Sequence, residues 1–435
     1  MTFCCHFVRT LLLLATTVIF SDFCVADDGD WPQWRGPNRD GHAAPQSLLQ
    51  TWPEGGPKLL WEASWLGKGY SACSVVGNQL FTMGTDEAGC NAICLDAASG
   101  SELWKTTIGR ADRGGDYSRG WGGGPRSTPT VDGDQVFVVT DLGVVAALDR
   151  RTGKLQWSVD MVKDYGGAVP TWGYSESVLV DGNMVMCTPG NKNFMIGLDR
   201  QTGQQKWSSK GADTGAQYVS IMKGSVGDVD YYVTAAKPGL VAFRVSNGQK
   251  LFSDDATGNR TAVIPTPLIL KDAIYHTSDY GAGNTLLSLS TDGDGITATS
   301  TYALNGKTMQ NHHGGVVLVD GVIYGFSKIN GGVWMAQDLE SGDVLWEKRS
   351  EYRDKSGSIA YADGRLYCYG DKGGKCDLVV PSRDGYQSVG TVSLPKQTEI
   401  PRERGAIWAH PVIAAGRLYI RDQDLMFAFE IGRDD

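Results

Sequence analysis

The chain carries little charge and no excess of positive charge. Charged residues are 20% of 435, with 40 Lys and Arg against 49 Asp and Glu, a net charge of -9 and a pI near 5.2. That balance argues against a nucleic-acid binder, which presents a basic patch or stripe. Apolar runs long enough to span a bilayer are missing as well. Thr10 to Phe20 is the one candidate, and it falls short of the roughly 18 residues a membrane helix needs. Arg9 precedes it and Ser21-Asp22-Phe23-Cys24-Val25-Ala26 follows, so residues 1–26 read as a secretory signal cleaved after Ala26. Asp22 and Phe23 stand where a lipidation site has small residues, which argues against an anchor on Cys24. The expected location is the periplasm or the exterior, with no transmembrane segment.

Catalytic signatures are equally scarce. There is no Cys-x-x-Cys-His for covalent haem, no Gly-x-Ser-x-Gly elbow and no His-x-x-x-His pair. The stretch Gly114 to Gly124 is rich in glycine but lacks the Gly-Lys-Ser/Thr ending and the strand-to-helix setting of a phosphate loop. It reads as a long connecting loop, with Arg119, Trp121 and Arg126 offering donors and an aromatic face. Asp292-Gly293-Asp294-Gly295 is a turn in preference to a calcium loop, and Asn259-Arg260-Thr261 is a glycosylation sequon only in a host that uses it. Six cysteines follow the signal: Cys73, Cys90, Cys94, Cys187, Cys368 and Cys376. An oxidising compartment permits disulfides. Cys368 with Cys376 and Cys90 with Cys94 are the local pairs, and burial as small hydrophobes is the alternative for each.

What is abundant is glycine, 57 residues, and aromatics, with 13 Trp and 17 Tyr. They fall into a repeat. Asp, Gly four residues on and Trp eight residues on recur as Asp96/Gly100/Trp104, Asp149/Gly153/Trp157, Asp199/Gly203/Trp207 and Asp338/Gly342/Trp346. Arg244/Gly248/Phe252 is a degenerate copy. The pattern fits an apolar strand ending at the Asp, a turn closed by Gly, and a strand carrying a buried Trp. Two further strands around an Asp-Gly turn precede each copy, as at Asp132-Gly133, Asp181-Gly182, Asp320-Gly321 and Asp363-Gly364. Each unit is therefore four short strands, and such units arranged radially make a β-propeller. Three-strand sets start near Tyr70, Pro125, Tyr174, Gln217, Val263, His313, Gly357 and Ala409. The last set lacks a fourth strand, while Lys58-Leu59-Leu60-Trp61 is a fourth strand without a set. The expectation is an all-β, eight-bladed propeller of four-stranded antiparallel blades, closed by the N-terminal strand pairing with the C-terminal blade. Residues 27–57 form an extension packed on the propeller, 58–431 the propeller itself and 432–435 a tail.

The stretch Val144 to Trp157 resembles the PQQ-like (pyrroloquinoline quinone) repeat nearly letter for letter. That blade builds eight-bladed quinoprotein alcohol dehydrogenases and also a non-enzymatic outer-membrane assembly lipoprotein. Trp31-Pro32-Gln33-Trp34-Arg35-Gly36-Pro37-Asn38-Arg39-Asp40-Gly41 is similar to a segment of secreted planctomycete-type propeller proteins of this family, often called polyvinyl-alcohol dehydrogenase-like. In the enzymes the resemblance implies PQQ sandwiched between a Trp and a disulfide of two adjacent Cys, calcium held by Glu, Asn and Asp, and an Asp base. Here the one adjacent pair is Cys4-Cys5, inside the signal. Trp121, Trp172 or Trp408 is placed to supply a ring and Glu176 a calcium ligand, but no matching Asn and Asp set maps onto the chain.

The residues at the starts of the innermost strands should converge on the propeller axis. Arg126, Trp172, Tyr174, Glu176, His312, His313, Trp408 and His410 are the expected binding surface, for a cofactor or another small molecule. The leading reading is a secreted, monomeric, non-catalytic module binding a small molecule or an envelope protein. The alternatives are a PQQ- and calcium-dependent alcohol dehydrogenase and an envelope assembly scaffold.

Overall fold

The computed structural model describes Met1 and residues 29–433. The expected cleavage site after Ala26 lies outside the described residues. Strands dominate, and the helical content among the described residues is one 3-10 turn, Ile329–Gly331. They assemble into eight four-stranded antiparallel sheets and one two-stranded ribbon. Blade 1 runs through Ser74–Val76, Gln79–Thr85, Cys90–Asp96 and Glu102–Gly109, strands A to D in order. Blades 2 to 7 repeat that order over 130–160, 179–208, 222–254, 268–304, 316–349 and 357–393. Blade 8 takes A to C from Val412–Ala414, Arg417–Asp422 and Leu425–Glu430, and its D strand is Leu59–Ala63. Neighbouring A strands touch one another, so they line the axis. The ring closes non-covalently, and closure removes the exposed edges that an open sheet leaves.

The turn chemistry follows the sequence. Asp320-Gly321, Asp363-Gly364 and Ala415-Gly416 all take positive φ at both residues, as a two-residue type I′ hairpin requires. In the Asp-Gly-Trp repeat, the Asp149 carboxylate accepts from the Thr152 amide and hydroxyl at 2.8 and 2.7 Å. Asp96 with Ser99 and Asp199 with Thr202 do the same.

The Gly and the Trp of the repeat work across blades. Trp104 Nε1 donates to Arg150 O of the next blade at 2.9 Å, Trp157 to Arg200 O at 2.8 Å, and Trp207 to Val245 O at 2.7 Å. Trp61 closes the ring in the same manner, donating to Ala97 O at 3.0 Å. The indole needs room, and the glycine of the following copy provides it. A Cβ on Gly153 would sit 2.5 Å from the Trp104 ring, and one on Gly203 2.8 Å from Trp157. Blade 5 lacks the Trp, and the Tyr302 hydroxyl donates to Leu339 O at 2.9 Å in its place. Burial of each ring contributes roughly 2 kcal/mol. The buried apolar side chains accordingly lie between adjacent blades, and the largest cluster spans blades 7, 8 and 1 at the closure.

All six described cysteines are free and buried. Register explains why neither local pair forms a bridge. Cys368 lies opposite Asp377, and Cys376 opposite Tyr369. Successive residues alternate faces, so the two thiols point into different cores, one between blades 6 and 7 and the other at the closure. Cys90 and Cys94 share a face of one strand, roughly 13 Å apart along it. Disulfide geometry needs Cα atoms within about 7 Å.

Residues 29–57 run around the end of the ring where the A–B turns lie. Trp31 exchanges backbone hydrogen bonds with Val75 of blade 1, at 2.8 Å each way. Farther on, Ala43 N donates to Tyr361 O of blade 7 and Leu49 N to Ile431 O after blade 8. Two buried arginines tie the segment down. Arg39 donates to Ser177 O and Val178 O at 2.8 and 3.0 Å, and Arg35 to Gly314 O at 3.3 Å and to Val316 O.

Candidate functional site

At the other end of the ring the chain enters each A strand, and those entry segments surround an axial cavity of about 270 Å³. Arg126 enters blade 2, Trp172 blade 3, His312 and His313 blade 6, and Trp408 and His410 blade 8. These six of the eight expected residues line one cavity. The other two do not join them. The Tyr174 hydroxyl donates to Pro189 O at 2.9 Å, and its ring is packed between blades 2 and 3. Glu176 is buried with its carboxylate on the Thr188 amide. The Tyr174 ring thus enters the core between blades 2 and 3, and Glu176 folds onto the Thr188 amide of its own blade, close to Arg39 of the extension.

Sequence reasoning passed over several further lining residues. Tyr70 and Tyr218 are entry residues of blades 1 and 4 and were readable by the same rule. Tyr280 and Lys328 come from B–C turns, which lie at the same end as the A-strand starts. Trp34 comes from the N-terminal extension, and Trp121, expected from the sequence to offer an aromatic face, comes from the glycine-rich loop. That loop is held by Asp112, which receives Lys68 at 2.6 Å and Arg119 at 3.2 Å, and by the Arg110–Asp116 pair at 2.7 Å.

Rings dominate the wall. Trp408 is the hub: Tyr70, Trp121, His312 and His313 all place ring centroids within 5.3–6.2 Å of it, with Trp121 nearly parallel at 24°. His313 and His410 are 5.9 Å apart, and Trp172 lies 5.9 Å from Tyr218. His410 Nε2 meets the His313 carbonyl at 3.2 Å, and a carbonyl only accepts, so the His410 proton sits on Nε2. Burial holds the imidazoles neutral. His312 is pushed down to about 3, by burial and then by Lys328. His313 and His410 are held well below the ordinary value, again chiefly by burial. Burial also raises the Tyr280 hydroxyl to about 12.

Three buried nitrogens on lining residues have no hydrogen-bond partner: Trp172 Nε1, Trp408 Nε1 and His313 Nε2. Buried polar atoms in folded proteins are nearly always satisfied, so such atoms call for an explanation. Two cations lie at the cavity. Lys328 is paired with Asp279 at 2.7 Å. Arg126 donates to Gly122 O and Gly124 O at 2.8 Å each, and among the described residues no carboxylate comes within salt-bridge distance of it. No Asp or Glu among the described residues lines the cavity. Calcium takes six to eight oxygen ligands, largely carboxylates. The lining therefore lacks the carboxylates of the quinone–calcium pair of the dehydrogenases, and presents rings and the Arg126 guanidinium.

The family model described as outer membrane protein assembly factor BamB matches residues 54–163 and 89–348, more than half of the chain. The chain belongs to the PQQ-like repeat propeller family. Among solved structures, BamB from Moraxella catarrhalis is 15% identical with a TM-score of 0.56, over 84% of this chain and 95% of that one. Quinohemoprotein alcohol dehydrogenase ADHIIG from Pseudomonas putida HK5 is 13% identical with a TM-score of 0.67, over 94% and 81%. A europium-containing methanol dehydrogenase is 14% identical with a TM-score of 0.64, over 91% and 89%. At these identities the likeness is one of fold. No curated protein matches the sequence significantly. No helix among the described residues is long and apolar enough to cross a membrane.

Proposed function

We propose that this chain is an extracytoplasmic, non-catalytic propeller that binds a planar, oxygen-rich anion of the aromatic carboxylate class in its axial cavity. The observation that carries the reading is an aromatic axial wall that, among the described residues, contains no acidic side chain and includes Arg126, a guanidinium held only by the Gly122 and Gly124 carbonyls and the Tyr70 and Tyr117 rings. A ligand there meets π-faces and a cation, so it must bring a flat apolar body and a negative charge. Arg126 supplies the charge that selects an anion. Catalysis is disfavoured by the same chemistry. A general base works best with a pKa near the operating pH, and the His312 imidazole, at about 3, is a weak one. A second reading, a quinoprotein alcohol dehydrogenase, draws support from the fold shared with the dehydrogenases over most of the chain.

Titration of the mature protein with PQQ and with 2-naphthoate, with and without Ca²⁺, separates the two. The proposal expects binding of either anion that ignores Ca²⁺, and no dye reduction with simple alcohols. Replacing Trp172 and Trp408 together by Ala should weaken binding about 100-fold while the circular dichroism of the propeller persists. Ca²⁺-dependent binding with turnover would install the dehydrogenase reading instead. Failure of both anions to bind would remove the cavity as their site.

A further inference from the structure

The residues between the two buried arginines cross the axis. Arg39 is fixed to blade 3 through Ser177 O and Val178 O, and Arg35 to blade 6 through Gly314 O and Val316 O. Blades 3 and 6 lie on nearly opposite sides of the eight-bladed ring. A strap anchored to both must pass over the centre. Arg35 and Arg39 both adopt positive φ, 59° and 61°, so the strap is tightly bent at each anchor. Trp34 stands beside one anchor and turns inward. Its Nε1 donates to Thr266 Oγ1 at the entry to blade 5, at 2.9 Å, and its ring lies 4.4 Å from that of His410. Trp34 is thus a wall of the axial cavity although it belongs to no blade.

We infer that Trp34 is the closed end of the ligand cavity and sets the length of ligand admitted, an inference that rests on the ligand-binding reading above. The A-strand entry segments make the sides of the cavity, and a ring of β-blades has no side chain of its own that spans the centre. The extension supplies one. Its two arginines fix the strap to backbone carbonyls, so the floor is set by the fold and not by the ligand. The ligand then enters from the opposite side, past Trp121 and Tyr280, which are the most exposed aromatic residues of the lining at 37% and 41%. The floor makes size selective. A fused two- or three-ring anion fits between Trp34 and the rim, and a longer rod does not.

The test uses the mature protein and two fluorescent or absorbing probes, 2-naphthoate and the longer p-terphenyl-4,4″-dicarboxylate. Trp34→Ala should weaken 2-naphthoate about tenfold and strengthen the terphenyl rod by about the same factor, whereas Trp34→Phe, which keeps a ring at the floor, should change both less than about threefold. A residue that merely packs would lower both affinities together. Unchanged affinities in Trp34→Ala, with 2-naphthoate still bound by the parent protein, overturn the inference and leave the cavity reading in place. If the parent binds neither probe, the cavity reading fails, and the crystal structure of Trp34→Ala then judges the floor alone. A channel open through the axis supports it and a closed axis overturns it. Trp34→Leu carries the same expectations should the Ala variant not fold.

Discussion

The two ends of the propeller axis bury their polar nitrogens in different company. At the strapped end, Arg35 and Arg39 are buried cations, and each of their terminal nitrogens reaches an oxygen of the protein: Gly314, Asp40 and Val316 for one, Gln33, Val178 and Ser177 for the other. At the entry end, Trp172 and Trp408 are aromatic donors whose N–H groups reach nothing. A buried donor left unmade costs about 1–3 kcal/mol. Both arginines also leave Nε buried without a partner, so neither end is fully satisfied. The difference lies in use: the arginine contacts fix the extension to blades 3 and 6, and the rings and Arg126 at the entry end line an open cavity.

The sharpest way to break this contrast is at the strapped end. Arg35→Ala leaves the Gly314, Asp40 and Val316 carbonyls without their donor in a buried setting, and loosens the strap. The expected loss is about 4 kcal/mol of folding stability, read from urea unfolding. A change below about 1 kcal/mol would show that the buried guanidinium is dispensable and that the strap does not depend on it.

The contrast also explains what the sequence discloses. The repeat is legible because each blade must solve one packing problem. The Trp of one unit needs the Gly of the next, so Trp104 with Gly153 and Trp157 with Gly203 recur at fixed spacing. The pairing of Leu59–Ala63 with Leu425–Glu430 follows from counting units. The wall of the cavity is partly legible, because A-strand entry positions face the axis: Arg126, Trp172, His312, His313, Trp408 and His410 are all found by that rule. Tyr174 and Glu176 lie only a few residues beyond Trp172, and the chain bends within that span, which periodicity does not reveal. Tyr280 and Lys328 arrive from B–C turns, and Trp34 from a strap that crosses from blade 3 to blade 6. Such contacts join distant parts of the chain and leave no local signature. The cysteines show the same limit. Spacing suggested pairs, and only the register shows that Cys368 and Cys376 face opposite ways.

Glu176 offers a gentler test of the strapped end, since it lies beside Arg39. Burial raises its carboxyl from 4.5 to about 7, against the lowering effects of the Thr188 hydrogen bonds and the Arg39 charge. The unfolded chain therefore loses this proton near 4.5 and the folded one only near 7. Between those values the folded state binds more protons, so stability falls as pH rises through the window and stays lowered above it. Glu176→Gln removes this dependence while keeping an acceptor for the Thr188 amide. Relative to the parent, the variant should gain about 2 kcal/mol at pH 8 over its standing at pH 4. Paired urea titrations at the two pH values measure it, and an equal offset at both would show that the carboxyl ionises freely beside Arg39.

The smallest expected effect concerns the entry end, and it is informative because it is small. Three imidazoles, His312, His313 and His410, line the cavity with pKa values held well below 6.5 by burial. Depressed histidines affect stability as pH falls: below 6.5 the unfolded chain takes up protons that the folded chain refuses, so stability declines toward acid. Ligand binding, in contrast, occurs in the folded state, where the rings stay neutral across that range. The affinity for 2-naphthoate should then vary less than about twofold between pH 8 and pH 5.5. A steep rise in affinity toward pH 5.5 would mean that an imidazolium forms in the cavity and pairs with the carboxylate. Anion selection would then belong to the histidines, and Arg126→Gln would leave it intact. A flat profile, lost as affinity in Arg126→Gln, assigns the selection to Arg126, whose charge is constant across that pH range and which no carboxylate among the described residues pairs.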